Sequence, residues 1–514
     1  MAIALAGMTL LLVQWASGRP LWLDEEMIAI NLRDRGFRSL IGELSLGQAA
    51  PYGWLVLQRS ALLAIGATER ALRLVPVAFG IGTIAVAMWI GTRRLSALGA
   101  TTLVALCSFG QWLTFYFLEL KHYSADAFFA LALPALAARV DDDRRRLWEF
   151  WLAASVGLWL ANGAVLVMPA ATVALVVAAL RGRRWNGVLR TLVPGVVWLA
   201  SLALHYAVSL RHALGSEYLE GTWTFAFPPR EHGLVAAAMW SVARLTTLAS
   251  KPGGSELGIL LFIAAIAGFV VAYSRMPVLA TANALITPTA IALAIARLIP
   301  LYERISLWIV PSLYVGIALL ADGLSYQRRV VRVALAPMLI VLAVEIPVRG
   351  VAALRVRPAT SNRALDDRAA IRWLRSREQP GDAWLVTHFA VPALWWYGGH
   401  ARTADTYELM YSSDSHACRA PIGDVFARHR RALVYLGFRF DDTPVGFDDL
   451  VVDQLSEAGA VTGYRRFAGQ GIVLVLDARE RAKRPNTLSQ LDGDPVDRRP
   501  RAPGCVGVLP VSPR

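Results

Sequence analysis

Three consecutive carboxylates, Asp24, Glu25 and Glu26, follow an apolar run that starts at Met1. Acids at the mouth of a membrane span are costly unless they are solvated, paired or used. A second group of polar side chains is Glu119, Lys121, His122, Tyr123 and Asp126, with Tyr52 before it and Arg297 and Arg304 after it. Carboxylates can take a proton from an incoming hydroxyl. Lys holds a phosphate as a point charge and Arg grips it with two parallel hydrogen bonds. Together these residue types suit a substrate that joins an anionic phosphate to a lipid tail. Each also has a plainer reading. The acids could be solvated boundary residues, Glu119 and Lys121 members of structural ion pairs, Arg304 a partner of Glu303 or of lipid headgroups, and Tyr52 and Tyr123 interfacial anchors.

The elements that must carry these residues are membrane helices. Of 514 residues, 56% are hydrophobic and only 18% charged, where a soluble protein would carry about a quarter. The apolar residues come in blocks near the roughly 20 residues needed to cross about 30 Å of hydrocarbon. The net charge of +14 is concentrated in short loops, at Arg93-Arg94, Arg139 with Arg144-Arg145-Arg146, residues 181–190, Arg275, and Arg328-Arg329 with Arg332. The positive-inside rule expects such loops on the cytoplasmic side, so topology accounts for the charge without a nucleic-acid partner.

In chain order, a short first span covers residues 2–16 and reads as retained rather than as a cleaved signal peptide. A first outer loop over 18–71 holds two amphipathic pieces, 24–38 and 52–65. Further spans are expected at 72–91, 97–116 and in the segment that ends before 140. The 33-residue block 148–180 is too long for one straight helix and divides at Asn162-Gly163. Crossings at 191–210, 256–273, 278–298, 305–320 and 333–347 bring the total to about 11. An outer loop after residue 210 carries Trp223, Pro228-Pro229, His232 and an amphipathic piece at 234–248.

From about residue 349 the composition becomes that of a soluble domain. Helices are expected at 366–377 and 448–458, and strands at 383–388, 433–437 and 472–476. The predicted fold is therefore mainly α: a polytopic membrane domain over 1–348, then a small α/β extracytoplasmic domain over 349–480. The segment 481–514, rich in Pro, Arg and Asp, is expected to be disordered. His388, His400 and His416 lack ligand-like spacing and read as structural. Cys418 and Cys505 could pair in an oxidising compartment, a pairing not favoured from sequence alone.

Trp22-Leu23-Asp24-Glu25 resembles the first-loop Asp-Glu motif of the GT-C glycosyltransferases, the superfamily of the protein O-mannosyltransferase and aminoarabinose-transferase group. An amphipathic helix follows, then Gln48-Ala-Ala-Pro51-Tyr52 where that group has a Pro-Pro-Leu-Tyr type segment. Thr68-Glu69-Arg70-Ala-Leu-Arg73 leads into the second span. Residues 119–126 are similar to the Glu-Leu-Lys-x-Tyr-Ser-x-Asp form at the end of span three. The likeness spans about residues 1–350 and is densest before 130. Ala50 departs from the double proline, and the 119 segment departs from the Gln-Glu-Ala-Arg form, so the acceptor and any metal do not carry over.

The resemblance implies inverting transfer of a sugar from a polyprenyl-phosphate donor on the extracytoplasmic face of a bacterial inner membrane. Asp24 would be the base, and Glu25 would orient the acceptor or a metal. Lys121, His122 and Arg304 would neutralise the departing phosphate, with Glu119, Tyr123, Asp126 and Tyr52 also at the substrate. The acceptor could be a lipid, a glycan or a protein. No particular cofactor is specified, and a divalent metal is left as an option. The competing reading is a transporter or glycolipid flippase, which should show repeated halves and ionisable groups near mid-membrane. Here the charges gather at the boundary. No Gly-rich loop within a βαβ unit marks a nucleotide-sugar site, and Asp141-Asp-Asp143 reads as a loop balancing Arg144 to Arg146.

Overall fold

Thr68 and Ser96 open two of the apolar helices by accepting hydrogen bonds from the Ala71 and Gly99 backbone N–H groups, at 3.2 and 3.4 Å, which satisfies donors that a helix start leaves unpaired. The computed structural model describes residues 1–182, 185–214, 221, 223–229, 233–324, 326, 329–355, 364–399, 405–413, 418, 422–439, 443–479, 487–493 and 501–511. His232, Arg328, His400 and His416 lie outside the described residues.

The chain divides into two compact units. The first comprises Met1–Gly18 with Leu32–Val356, and the second Arg19–Asn31 with Arg357–Arg514. The short segment that bears the three carboxylates thus belongs with the C-terminal part of the chain, a grouping absent from the expected division near residue 348.

The first unit is helical. Among the described residues, seven helices are long and apolar enough to cross a membrane: Glu69–Arg94, Tyr123–Asp142, Asn162–Arg181, Asn186–Leu210, Pro277–Ile295, Glu303–Leu324 and Leu335–Ala353. Three shorter apolar helices accompany them, Ala2–Ala16, Ala97–Phe109 and Ile259–Ala272. The block 148–180 divides as expected into Leu147–Leu160 and Asn162–Arg181. The amphipathic piece Tyr52–Ile65 is a helix bounded by Pro51 and Gly66, and Gly66 turns the chain with a φ of 102°. Every residue of Val310–Leu324 is buried. It crosses Ile259–Ala272 so closely that a Cβ on Gly268 would lie 1.8 Å from the Gly316 carbonyl oxygen. Without a hydrophobic drive between helices in lipid, such small-residue crossings supply the packing. This architecture makes the chain an integral membrane protein.

The second unit holds one six-stranded sheet, made of β1 (Ala383–Thr387), β2 (Thr406–Ser412), β3 (Arg431–Leu436), β4 (Ala460–Arg466), β5 (Ile472–Asp477) and β6 (Cys505–Pro510), in the order β4-β5-β3-β1-β2-β6. β1 runs parallel to β2 and β3, and the other pairings are antiparallel. The central strands are buried throughout, as expected of a sheet covered on both faces. One core joins Leu385, Val434 and Leu474 to Val451 and Leu455 of the helix Phe447–Ala458.

Two expectations are corrected here. The segment 481–514 is not uniformly disordered: Leu488–Leu491 is a helical turn, and β6 pairs with β2 over six residue pairs. Cys505 at the start of β6 is disulfide-bonded to Cys418. The pairing was unfavoured from sequence because Cα separation and Cβ direction decide it, and these are properties of the fold.

Candidate active site

Leu23–Asp34 forms a helix with all three acids in its first turn, where the exposed N–H groups favour negative charge. Consecutive residues on a helix point about 100° apart, so the three carboxylates take three directions. Glu25 is fully buried. It reaches back to accept the Trp22 N–H at 3.3 Å, as the third residue of a helix does when it caps its own start, and lies 3.7 Å from Arg19. Glu26, also buried, turns towards Asp367 at the start of the helix Asp367–Arg375. Asp24 is half-buried.

Asp367 accepts a hydrogen bond from the Tyr435 hydroxyl of β3, and all three groups of this cluster are buried. Burial and the facing carboxylate raise Glu26 well above the usual carboxylate range. Burial raises Asp367 to about 7 against the pull of its hydrogen bonds. Two further contacts fix the same segment to the C-terminal part of the unit. The Leu21 N–H donates to the Tyr397 hydroxyl at 2.8 Å, and the Trp22 and Phe438 rings lie 6.4 Å apart.

In the first unit, two stretches singled out separately in the sequence meet. The Lys121 ammonium donates to the Gln48 side-chain oxygen at 2.5 Å, which joins the Gln48–Tyr52 turn to residues 119–126. Lys121, His122 and Glu119 are buried, and Tyr123 packs edge-on against Tyr116 at 5.5 Å. The Asn162 amide donates to His122 Nε2 at 3.0 Å. The Asp126 carboxylate stands 3.6 Å from the same ring nitrogen. His122 Nδ1 has no hydrogen-bond partner among the described residues, nor do Trp54 Nε1, the Gln58 amide, Ser124 Oγ or Trp308 Nε1. Trp54 stands edge-on to His122 at 6.2 Å, and Gln58 lies one turn further along the same helix. Buried donors left this way are costly, so several close together mark a polar lining that a ligand or water would satisfy.

Asp126 has a different task. Its carboxylate accepts the Gly163 N–H at 2.7 Å and so caps the helix Asn162–Arg181 where the long block breaks. Gly163 is required there: a Cβ would stand 2.9 Å from Trp308 Cβ and 3.0 Å from Asp126 Cβ. Tyr52 donates to the Phe37 carbonyl at 3.1 Å. Arg304 lies over the Trp223 ring at 5.9 Å, and Arg297 over Phe227 at 4.8 Å. Glu303 pairs with Lys251 at 2.8 Å, and Lys251 sits over Trp112, which stacks on Tyr116.

Gln48 as a partner of Lys121, Asn162 as a partner of His122, and Lys251 were missed from sequence. Glu26 was noticed but given no role. Among the described residues, no group of three or more His, Cys, Asp and Glu side chains is placed to hold a metal ion.

No family model and no curated protein matches the sequence. Solved structures do match. ArnT from Cupriavidus metallidurans in the apo state aligns with a TM-score of 0.56 at 15% identity, covering 93% of this chain and 99% of that one. The same protein bound to undecaprenyl phosphate gives 0.53 at 16%, covering 92% and 97%. The apo oligosaccharyltransferase of Archaeoglobus fulgidus aligns at 0.44 and 10% identity, over 84% of this chain and 69% of that one. Along nearly its whole length, the chain therefore has the fold of ArnT.

Proposed function

We propose that this protein is a membrane glycosyltransferase that moves a sugar from a polyprenyl-phosphate donor to an acceptor on the extracytoplasmic side of a bacterial inner membrane, with inversion. The observation that carries the reading is the division of labour among the three acids. Glu25 caps its helix and Glu26 meets Asp367, while Asp24 is half-buried, on a chain with the fold of ArnT. The crystallised relative binds undecaprenyl phosphate, which supports a lipid-linked donor here.

In this reaction the acceptor hydroxyl gives its proton to the Asp24 carboxylate as its oxygen attacks the anomeric carbon. The bond from that carbon to the phosphate oxygen breaks on the opposite face, and polyprenyl phosphate leaves as an anion. Lys121 and Arg304 neutralise the departing charge, and His122 can donate to it. Asp126 contributes indirectly, by fixing the helix break that holds Asn162 against His122. The Cys418–Cys505 disulfide supports an oxidising compartment for the second unit.

The test is release of free polyprenyl phosphate by purified protein from a panel of polyprenyl-phosphate sugars with crude envelope acceptors. Asp24→Asn should lower turnover about 10²–10⁴-fold, the usual worth of a general base, and leave donor binding intact. Release unaffected by the substitution would remove Asp24 as the base. Failure of the wild type to bind any donor would favour transport instead.

A further inference from the structure

Residues 19–31 precede and continue into membrane-domain helices, yet they pack with the C-terminal part of the chain. The contacts that hold them include Leu21 N–H to the Tyr397 hydroxyl, Trp22 against Phe438, and Glu26 with Asp367. The last joins two carboxyl groups, and Glu26 lies two residues from Asp24. Two fully buried carboxylates cannot both be charged at contact distance, so the pair shares a proton that one donates to the other. The Tyr435 hydroxyl donates to Asp367 from the other side and leaves Glu26 to supply the bridging proton.

We propose that Glu26, Asp367 and Tyr435 are positioning residues for the Asp24–Glu25 motif, forming a proton-dependent latch through which the C-terminal domain holds the catalytic helix end in register. The inference rests on the reading of Asp24 as the base. The charged and titratable groups around the latch are Glu25 on the same helix, Asp366 and Asp367 on the facing helix, Tyr435 on β3, and Arg439 just beyond it, which Asp448 holds at 2.6 Å. The acids outnumber Arg439, so the surroundings favour the protonated pair. Asp367 titrates near 7 and Glu26 lies above its ordinary range, so the latch is closed in mildly acidic to neutral solution. Past about 7 Asp367 is the carboxylate that accepts the Glu26 proton, and the latch opens only when rising pH removes that proton from Glu26 as well.

Glu26→Gln and Glu26→Ala separate this role from simple structural support. Gln donates an amide N–H to Asp367 at any pH, whereas Ala donates nothing. In full-length protein in detergent, hydrogen–deuterium exchange of peptides covering residues 19–34 should show protection in the wild type at pH 6. That protection should be lost in strongly alkaline solution, where Glu26 gives up the shared proton, after correction for the intrinsic pH dependence of exchange. The Gln variant should stay protected at both pH values, and the Ala variant should exchange freely at both. In the release assay, Ala should lower kcat by about 100-fold, the scale of a ~1 Å misplacement, with the donor KM unchanged. Gln should retain kcat and lose the alkaline fall. Wild-type exchange in the Ala variant, or the same alkaline fall in the Gln variant, overturns the latch. A wild type without turnover would count against the glycosyltransferase reading, and the exchange measurement would still decide this one.

Discussion

The Lys121 ammonium and the Gln48 side-chain oxygen meet at 2.5 Å, so the turn before the Tyr52–Ile65 helix and the turn after the third expected span form one polar corner. A lysine ammonium in such a corner can hold a phosphate as a point charge. Lys121→Met should therefore raise the donor KM about tenfold, roughly 1.4 kcal/mol, with kcat less affected. Gln48→Ala should have a smaller effect in the same direction. Initial rates against donor concentration check this, and an unchanged KM in Lys121→Met would exclude a phosphate role.

Asp126 and Gly163 meet at the break between two helices, and Asp126 also lies 3.6 Å from His122. Asp126→Ala should lower stability by about 0.5–2 kcal/mol as a lost helix cap, and Asn, which keeps an acceptor oxygen, should cost less. Gly163→Ala should cost about 1–3 kcal/mol by overpacking against Trp308. Thermal unfolding in detergent gives both values. A stable Asp126→Ala protein with impaired donor binding would return Asp126 to the substrate site.

Cys418 and Cys505 close a separation of 87 residues. Cys418→Ser/Cys505→Ser should destabilise the second unit by about 2–5 kcal/mol and release β6 from the sheet edge. The expected sign is proteolysis after residue 479 in the variant or in reduced wild type, with the membrane helices left intact. Equal protease resistance would show that strand pairing alone holds β6.

His388 and Glu408 approach to 2.5 Å on the second unit. The hydrogen bond to Glu408 raises His388 above its ordinary value, outweighing partial burial. A raised histidine contributes its stabilisation fully below the ordinary value near 6.5, and loses it as pH climbs through the raised one. NMR titration of His388 should give a midpoint above the ordinary value, and Glu408→Gln should bring it down. An unmoved midpoint in the variant would remove Glu408 as the cause.

Apolar blocks bounded by helix-breaking residues were readable from sequence. Tyr52–Ile65, flanked by Pro51 and Gly66, and the break before Asn162 both appear where periodicity and composition put them. β1, β3 and β5 were readable as short apolar runs. β2 (TYELMYS) and β4 (AVTGYRR) were not, because half-exposed strands carry polar residues whose strand character comes from their neighbours. β6 was hidden behind a polar, proline-rich stretch, and a distant partner and a disulfide hold it in place. At the site, the motif acids and Lys121 stood out by residue type. Gln48, Asn162 and Lys251 did not, since each gains meaning only from a side chain far along the chain. Glu26 looked like a spare neighbour of Asp24 because nothing local foretells a buried acid in the domain after residue 357.

That grouping bears on the order of biogenesis. The segment 19–31 is synthesised long before Asp367, Tyr397, Tyr435 and Phe438, which follow the membrane helices of the first unit. The contacts that the motif segment makes with those residues must therefore wait until the ribosome has passed Phe438. Activity would then be acquired only after the second unit is made, so a chain stalled before it would insert its helices without a finished catalytic centre.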